Sequence, residues 1–179
     1  MTVYVFLADG FEESEAITPS DILIRGGVQV KTVGVTGKTV TGAHGIAVTA
    51  DIMPQEIDLS GEYALLLPGG MPGTRNLKNS DTVQFCIDKA VSDGRYICAI
   101  CAAPAILGRK NLLCEHTAVC YPGLEEKLNC KKVYDGKCVK SGNFITAKGP
   151  GAAAEFGFLI LETLKDSATA LAIREQMCF

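Results

Sequence analysis

Cys101 is the residue whose surroundings most clearly indicate chemistry. Residues 95–100 are predicted to form a buried strand, and Pro104 marks the first turn of a helix predicted over residues 102–108. Almost no loop remains between them, so a tight turn at Cys101 must direct its side chain toward the start of the helix. Free N–H groups and the helix dipole stabilise an anion there. The sequence therefore predicts a thiol with a lowered pKa that acts as a nucleophile.

A glycine pair offers backbone N–H groups that suit such a thiol. The predicted strand at residues 63–67 runs directly into Pro68, Gly69 and Gly70, which add no side-chain bulk beyond the proline ring. If this strand lies beside the one that precedes Cys101, the amides of Gly69 and Gly70, together with that of Ala102, can stabilise a developing oxyanion. We expect these three N–H groups to form the oxyanion site.

Glu15 is the candidate acid and base. It lies one turn into a predicted helix, where its side chain can lean toward the end of a neighbouring strand. A protonated carboxyl beside a thiol can donate a hydrogen bond to the thiolate and then move protons during a reaction. Glu12 and Glu13, at the start of the same helix, are interpreted only as partners of the helix dipole.

The alternation of short apolar strands with helices predicts the fold that positions these groups. Strands are predicted at residues 3–8, 28–35, 63–67, 95–100 and 144–147, and helices at residues 14–25, 81–92, 102–108, 149–164 and 167–177. Small hairpins are predicted at residues 39–49 and 133–139, the second around Asp135 and Gly136. Continuous apolar strands between helices are typical of a parallel sheet covered on both faces, so the sequence predicts a doubly wound α/β sandwich. Such sheets carry their sites at the carboxyl ends of the strands.

Composition limits the classes of protein to consider. Of the 179 residues, 47% are hydrophobic and 21% charged, which excludes a disordered chain. The net charge of −3 argues against nucleic acid or an anionic membrane as a partner. The longest apolar runs are far shorter than the roughly 20 residues that span a bilayer, and no basic residue precedes Arg25 as a secretory signal would require. We expect one cytoplasmic domain, residues 1–179, with its eight cysteines reduced.

Four segments together resemble the ThiJ/PfpI superfamily, in particular its branch of the Parkinson-linked protein deglycase and bacterial ThiJ-like proteins. The segments are LADGFEESEA at residues 7–16, LPGG at 67–70, AICAAP at 99–104 and TAKGPG at 146–151. They follow one another in the order and spacing of that family along essentially the whole chain. The resemblance implies a flavodoxin-like three-layer sandwich, mostly parallel, with helices on both faces, and a homodimer.

The resemblance also implies roles for the candidate residues. Cys101 corresponds to the reactive cysteine of the nucleophile elbow, Glu15 to its hydrogen-bonding glutamate, and Gly69 and Gly70 to the glycine pair with its amides. Members of the family are described as glyoxalases and deglycases that act on methylglyoxal, glyoxal or their early protein adducts. They are also described as oxidative-stress sensors and as chaperones. No cofactor and no metal are expected.

The chain departs from the human-like members at one position. Where they carry His-Pro near the elbow, this chain has Tyr121 and Pro122, which puts a cysteine–histidine dyad in doubt. Proton transfer is then expected to fall to Glu15, with the Tyr121 hydroxyl as an accessory group. His44 is a second accessory candidate, because the resemblance aligns it with a polar loop position of relatives from which it can reach a site across a dimer; otherwise it is a surface loop histidine.

Two functional hypotheses remain after the rivals are weighed. A thioredoxin-like role is disfavoured because strand alternation buries Cys98, and a PfpI-type protease needs a histidine where Ala102 stands. The favoured hypothesis is a weakly active, cysteine-dependent and cofactor-free enzyme whose partner is a small 2-oxoaldehyde or a glycated protein. The alternative is a redox-sensing stress protein or chaperone in which the Cys101 thiolate is oxidised to a sulfinate.

Overall fold

A six-stranded sheet forms the centre of the computed structural model, which describes residues 1–179. The strands along the chain are β1 (Thr2–Leu7), β2 (Gln29–Gly34), β3 (Thr39–Thr41), β4 (Ala47–Thr49), β5 (Tyr63–Leu67), β6 (Tyr96–Ile100), β7 (Thr117–Ala118), β8 (Lys132–Val133), β9 (Cys138–Ser141) and β10 (Phe144–Ala147). The order in the sheet is β2-β1-β5-β6-β10-β9, and every neighbouring pair is parallel except β10 with β9. The strands β3 and β4 form an antiparallel hairpin outside this sheet.

Helices cover both faces of the sheet. They are α1 (Glu13–Arg25), α2 (Gly73–Asn79), α3 (Asp81–Ser92), α4 (Pro104–Arg109), α5 (Ala153–Leu164) and α6 (Ser167–Gln176). Buried residues of α1, α5 and α6 pack into one hydrophobic cluster, and those of α2, α3 and α4 pack into a second. This arrangement confirms the predicted flavodoxin-like sandwich with three layers.

The central strands β1, β5 and β6 are almost entirely apolar because each face meets a layer of helices. In β1, Val3 and Val5 belong to the cluster on the α1 side, whereas Tyr4 and Phe6 belong to the opposite cluster. Successive side chains of a strand point to opposite faces, so a strand covered on both sides shows no polar alternation. The rigid sheet fixes the carboxyl ends of β1, β5 and β6, where the candidate site residues follow.

Two parts of the predicted element pattern are wrong. The hairpin predicted at residues 133–139 does not form, because β8 pairs with β7 and β9 pairs with β10. The turn of that hairpin lies instead at residues 142–143, where Gly142 adopts a left-handed φ of 57°. The short helix α2 was not predicted, since its few apolar residues give little helical periodicity. The predicted hairpin at residues 39–49 is confirmed.

None of the helices has the length and apolar character needed to cross a bilayer.

Candidate active site

The nucleophile elbow at Cys101 is a strained turn. Cys101 follows the last residue of β6 and has a φ of 64°, a left-handed conformation that L-residues with a side chain rarely adopt. Two hydrogen bonds hold it: the Cys101 N–H donates to the Ala147 carbonyl (2.9 Å), and its carbonyl accepts from the Tyr121 N–H (2.8 Å). The end of β10 and the Tyr121 loop therefore fix the elbow on both sides, and the turn predicted from the sequence is present.

Glu15 is fully buried next to this thiol. It lies in the first turn of α1 with an exposed fraction of 0%. Its Oε2 and the Cys101 Sγ lie 2.6 Å and 3.1 Å from the same point, the position that a Cβ of Gly69 would occupy, so the two groups are close neighbours. Its Oε2 accepts the Gly69 N–H at 2.8 Å. Its Oε1 is buried without any hydrogen-bond partner. An unpartnered oxygen of this kind favours a protonated carboxyl or a ligand that supplies a proton.

Gly69 allows the thiol and the carboxyl to approach each other. A Cβ at this position would lie 2.6 Å from the Cys101 Cβ and 2.6 Å from Glu15 Oε2, far inside van der Waals contact. A residue with any side chain would push the two groups apart, so the glycine serves packing as well as the turn.

The three amides expected to form the oxyanion site divide into two roles. The Gly70 and Ala102 N–H groups donate toward the Cys101 sulfur. The Gly69 N–H instead donates to Glu15 and is committed to holding the carboxyl. The sequence placed all three around one anion, because it could not indicate where the buried Glu15 carboxyl would lie.

Burial dominates the protonation of the pair. It raises the pKa of the Glu15 carboxyl to about 7, although hydrogen bonds from Cys101 and Gly69 act in the opposite direction. Burial and the charge of an ionised Glu15 raise the pKa of the Cys101 thiol to about 12, against the amides of Gly70 and Ala102. The lowering expected from the helix start is outweighed, since α4 begins only at Pro104. The pair therefore loses its first proton around pH 7 and holds a single proton above that pH, and a thiolate then requires that Glu15 carries it.

Tyr121 stands at the mouth of this pair. Its ring Cδ2 lies 3.3 Å from the position that a Cβ of Gly149 would occupy, and Glu15 Oε1 lies 4.0 Å from the same point. Gly149 thus leaves open the space between the ring and the unpartnered oxygen. Tyr121 is 49% exposed, whereas the Glu15 Oε1 on this side of the pair is buried. The sequence identifies Tyr121 as a candidate but assigns no role to Gly149. The Gly-Pro-Gly stretch that begins at Gly149 is the sequence feature that could have pointed to it.

His44 pairs with Glu13 rather than with Cys101 or Glu15. Its Nδ1 lies 2.9 Å from Glu13 Oε2, and its backbone N–H donates to Glu13 Oε1 at 2.8 Å, while 67% of its side chain is exposed. Glu13 therefore joins α1 to the β3–β4 hairpin by hydrogen bonds, in addition to any interaction with the helix dipole. Glu12, Glu13 and His44 each offer a possible metal-binding atom, and these atoms lie within 4.8 Å of one another. The His44 Nδ1 already contacts both carboxylates, at 3.7 Å and 2.9 Å, so these atoms pair with one another.

Known proteins resemble this chain along most of its length. The model of the DJ-1/PfpI family matches residues 1–163. The chain is 35% identical over 174 residues to protein DJ-1 homolog B of Arabidopsis thaliana, which covers 96% of this chain. It spans only 40% and 43% of the lengths of the two Arabidopsis DJ-1 homologues.

Two further relatives are matched along most of their length. The glutathione-independent glyoxalase DJR-1.2 of Caenorhabditis elegans is 31% identical over 169 residues, covering 93% of this chain and 90% of that protein. The solved structure of oxidized Toxoplasma gondii DJ-1 is 29% identical, with a TM-score of 0.95 over 99% of this chain and 98% of that one.

Proposed function

The chain belongs to the DJ-1/PfpI family, and from that premise we propose that it is a cysteine-dependent, cofactor-free enzyme of the glyoxalase or deglycase type. Its substrates are methylglyoxal, glyoxal or their early protein adducts. The observation that carries the proposal is the buried, unpartnered Oε1 of Glu15 beside a strained, half-buried thiol. Such an oxygen is free to hold and release a proton next to a nucleophile.

The first step is addition of sulfur to the aldehyde. Glu15 holds the shared proton while the Cys101 thiolate, stabilised by the amides of Gly70 and Ala102, attacks the aldehyde carbon. A C–S bond forms, the carbonyl π electrons move to oxygen, and Glu15 transfers its proton to that oxygen. The product is a hemithioacetal, and Glu15 is left as the carboxylate.

The second step moves a proton between two carbons. The Glu15 carboxylate removes the proton from the former aldehyde carbon, giving an enediolate with its negative charge on the ketone oxygen. Glu15 then returns this proton to the neighbouring carbon, and the hydroxyl proton on the first carbon moves to the former ketone oxygen, giving a thioester. Water then adds to the thioester, and the C–S bond breaks to release a 2-hydroxy acid and the Cys101 thiol. Methylglyoxal and water together account for every atom of lactate. Burial suits Glu15 to this work, since a pKa of about 7 lets it act as both acid and base.

A relative supports this reaction class. The Caenorhabditis elegans protein carries the name glutathione-independent glyoxalase, and its likeness to this chain spans 93% of the residues. A glyoxalase that needs no glutathione must supply its own thiol, and in this chain the elbow cysteine fits that requirement.

Lactate production from methylglyoxal in metal-free buffer tests the proposal. Wild type and Cys101→Ser are compared with Cys114→Ser, which removes an exposed thiol elsewhere on the surface. We expect lactate from wild type and from Cys114→Ser, and none above the uncatalysed rate from Cys101→Ser. Equal production by wild type and Cys101→Ser would overturn the proposal.

A redox-sensing or chaperone role of the same thiol is the second candidate. The similar Toxoplasma gondii structure is of an oxidized protein. In this chain, peroxide would transfer one oxygen to the Cys101 thiolate and leave as water, and a second peroxide would complete the sulfinate. The Gly70 and Ala102 amides and a protonated Glu15 would stabilise its oxygens. No lactate from any variant, with a peroxide-dependent mass gain confined to Cys101, would favour this role.

We extend the proposal to a homodimer. Ile17 and Ile24 of α1 are large apolar side chains that are 44% and 59% exposed, and a second copy would cover them. Sedimentation velocity of the wild type tests this, with a monomer at micromolar concentration as the contrary result.

A further inference from the structure

A cavity of about 650 Å³ lies immediately beside the elbow. Its wall includes Ala102, which follows Cys101, and Met71, which follows Gly70. The remaining wall is formed by α2, α4 and the loop that follows residue 124. This volume is typical of sites for small molecules, which measure roughly 300–1,000 Å³. The reaction proposed above uses none of these α2 and α4 side chains.

Cationic side chains surround the cavity without partners. Arg75, Lys78, Arg109 and Lys127 line it, and the one acidic lining residue is Glu126. None of the four cations forms an ion pair, whereas seven of the 13 other lysines and arginines do. In a chain with a net charge of −3, this cluster is an exception. It creates a positive potential that an anion would neutralise.

The far rim of the cavity is held in place by backbone packing. A Cβ at Gly108 would lie 2.2 Å from the Lys127 carbonyl oxygen, so α4 approaches the Lys127 segment closely. The Asn129 side chain donates to Asn111 Oδ1 at 2.6 Å, which joins the two segments again. The shape of the cavity therefore does not depend on a ligand, and a preformed site costs less to occupy.

We propose that this cavity binds the phosphate group of a small phosphorylated carbonyl compound. The identification of that compound as a substrate rests on the function proposed above. Arginine guanidinium groups match phosphate oxygens with paired hydrogen bonds, and lysines add point charges. With the phosphate seated there, the rest of the molecule extends past Ala102 toward the Cys101 thiol.

Calorimetric binding at constant ionic strength tests the site directly. Inorganic phosphate and glycerol 3-phosphate are titrated into wild type, Arg109→Gln, Lys78→Gln and the control Lys165→Gln, which removes an exposed, unpaired cation outside the cavity. We expect binding to wild type and control, and about tenfold weaker binding to Arg109→Gln. Lys78→Gln should weaken binding to a smaller extent, because a lysine adds one point charge rather than paired hydrogen bonds.

Each outcome separates this site from the proposed enzyme. Tighter binding of glycerol 3-phosphate than of inorganic phosphate would identify an organic phosphate as the ligand. Binding of phosphate by a wild type that does not turn over methylglyoxal would support the site and contradict the enzyme. Turnover without phosphate binding, or an equal loss of binding in Lys165→Gln and Arg109→Gln, would overturn the site alone.

Discussion

Glu13 and Glu15 lie two residues apart in the first turn of α1, yet the structure shifts the pKa values of their carboxyl groups in opposite directions. Both are buried, with exposed fractions of 8% and 0%. Glu13 faces the β3–β4 hairpin, and Glu15 faces the elbow, since residues two apart on a helix point roughly 200° apart. Although burial raises the pKa of Glu13, hydrogen bonds from the His44 side chain and from nearby backbone N–H groups lower it overall. Burial raises the pKa of Glu15 to about 7.

The number of hydrogen-bond donors to each carboxyl group determines the direction of its pKa shift. Glu13 receives the His44 N–H, the Ile46 N–H and the His44 ring, which together replace the water that it loses. Glu15 receives the Gly69 N–H on one oxygen and nothing on the other. A carboxylate with enough donors is a structural anchor, whereas one left short of donors keeps a proton that it can transfer.

Replacing each glutamate by glutamine should give the largest difference in activity between the two positions. Glu15→Gln keeps the shape of the side chain but cannot transfer a proton, so we expect kcat/KM for methylglyoxal to fall by roughly 10²–10⁴-fold. Glu13→Gln keeps the elbow intact and should retain most of the activity once its folding is verified by circular dichroism. Similar losses in the two variants would contradict the assignment.

The stability of the protein should report the protonation of Glu15. Its folded-state pKa of about 7 lies above the 4.5 of a free glutamate, so its contribution is fully present below about pH 4.5 and is lost as pH rises through 7. The 2.5-unit difference corresponds to about 3 kcal/mol. In urea unfolding at pH 5 and pH 8, Glu15→Gln should gain about this much relative to wild type at the higher pH. A difference between the proteins that does not change with pH would refute the buried, protonated carboxyl.

Removal of His44 should have the smallest effect. Its hydrogen bond to Glu13 raises the pKa of the imidazole above 6.5, so its stabilisation is present below pH 6.5 and is lost as pH rises further. His44→Gln should therefore melt slightly lower than wild type at pH 6, but not at pH 9, with turnover close to that of wild type. A large loss of turnover would instead show that His44 serves the site, as a residue reaching across a dimer would.

The sequence predicted the elbow well because its cause is local. A strand that runs into a helix with Pro104 in the first turn leaves the chain only one tight path at Cys101, and the left-handed φ follows. The layers of the sandwich were equally predictable, since apolar strands must be covered on both faces. The hairpin near Asp135 was mispredicted because a turn signal does not say which strands it connects, and Phe144 pairs with Ser141 around Gly142 instead.

Long-range contacts could not be derived from spacing. The donors that fix Glu13 lie 31 and 33 residues further along the chain, so it looked like any acidic residue at a helix start. The amide that holds Glu15 is 54 residues away, and its use there removes Gly69 from the predicted oxyanion site. The cationic cavity combines residues from α2, α4 and the segment around Lys127, which no local pattern connects.

The rate of Cys101 alkylation by iodoacetamide as a function of pH tests the Cys101–Glu15 pair most directly. Mass spectrometry resolves the Cys101 peptide from those of the other seven cysteines. If Glu15 and Cys101 share one proton, the rate should rise with a midpoint near pH 7 and then level off, because reaction proceeds through the form in which Glu15 holds the proton. In Glu15→Gln the midpoint should move well above 7. A wild-type rate that climbs steadily past pH 9, unchanged by Glu15→Gln, would contradict the account.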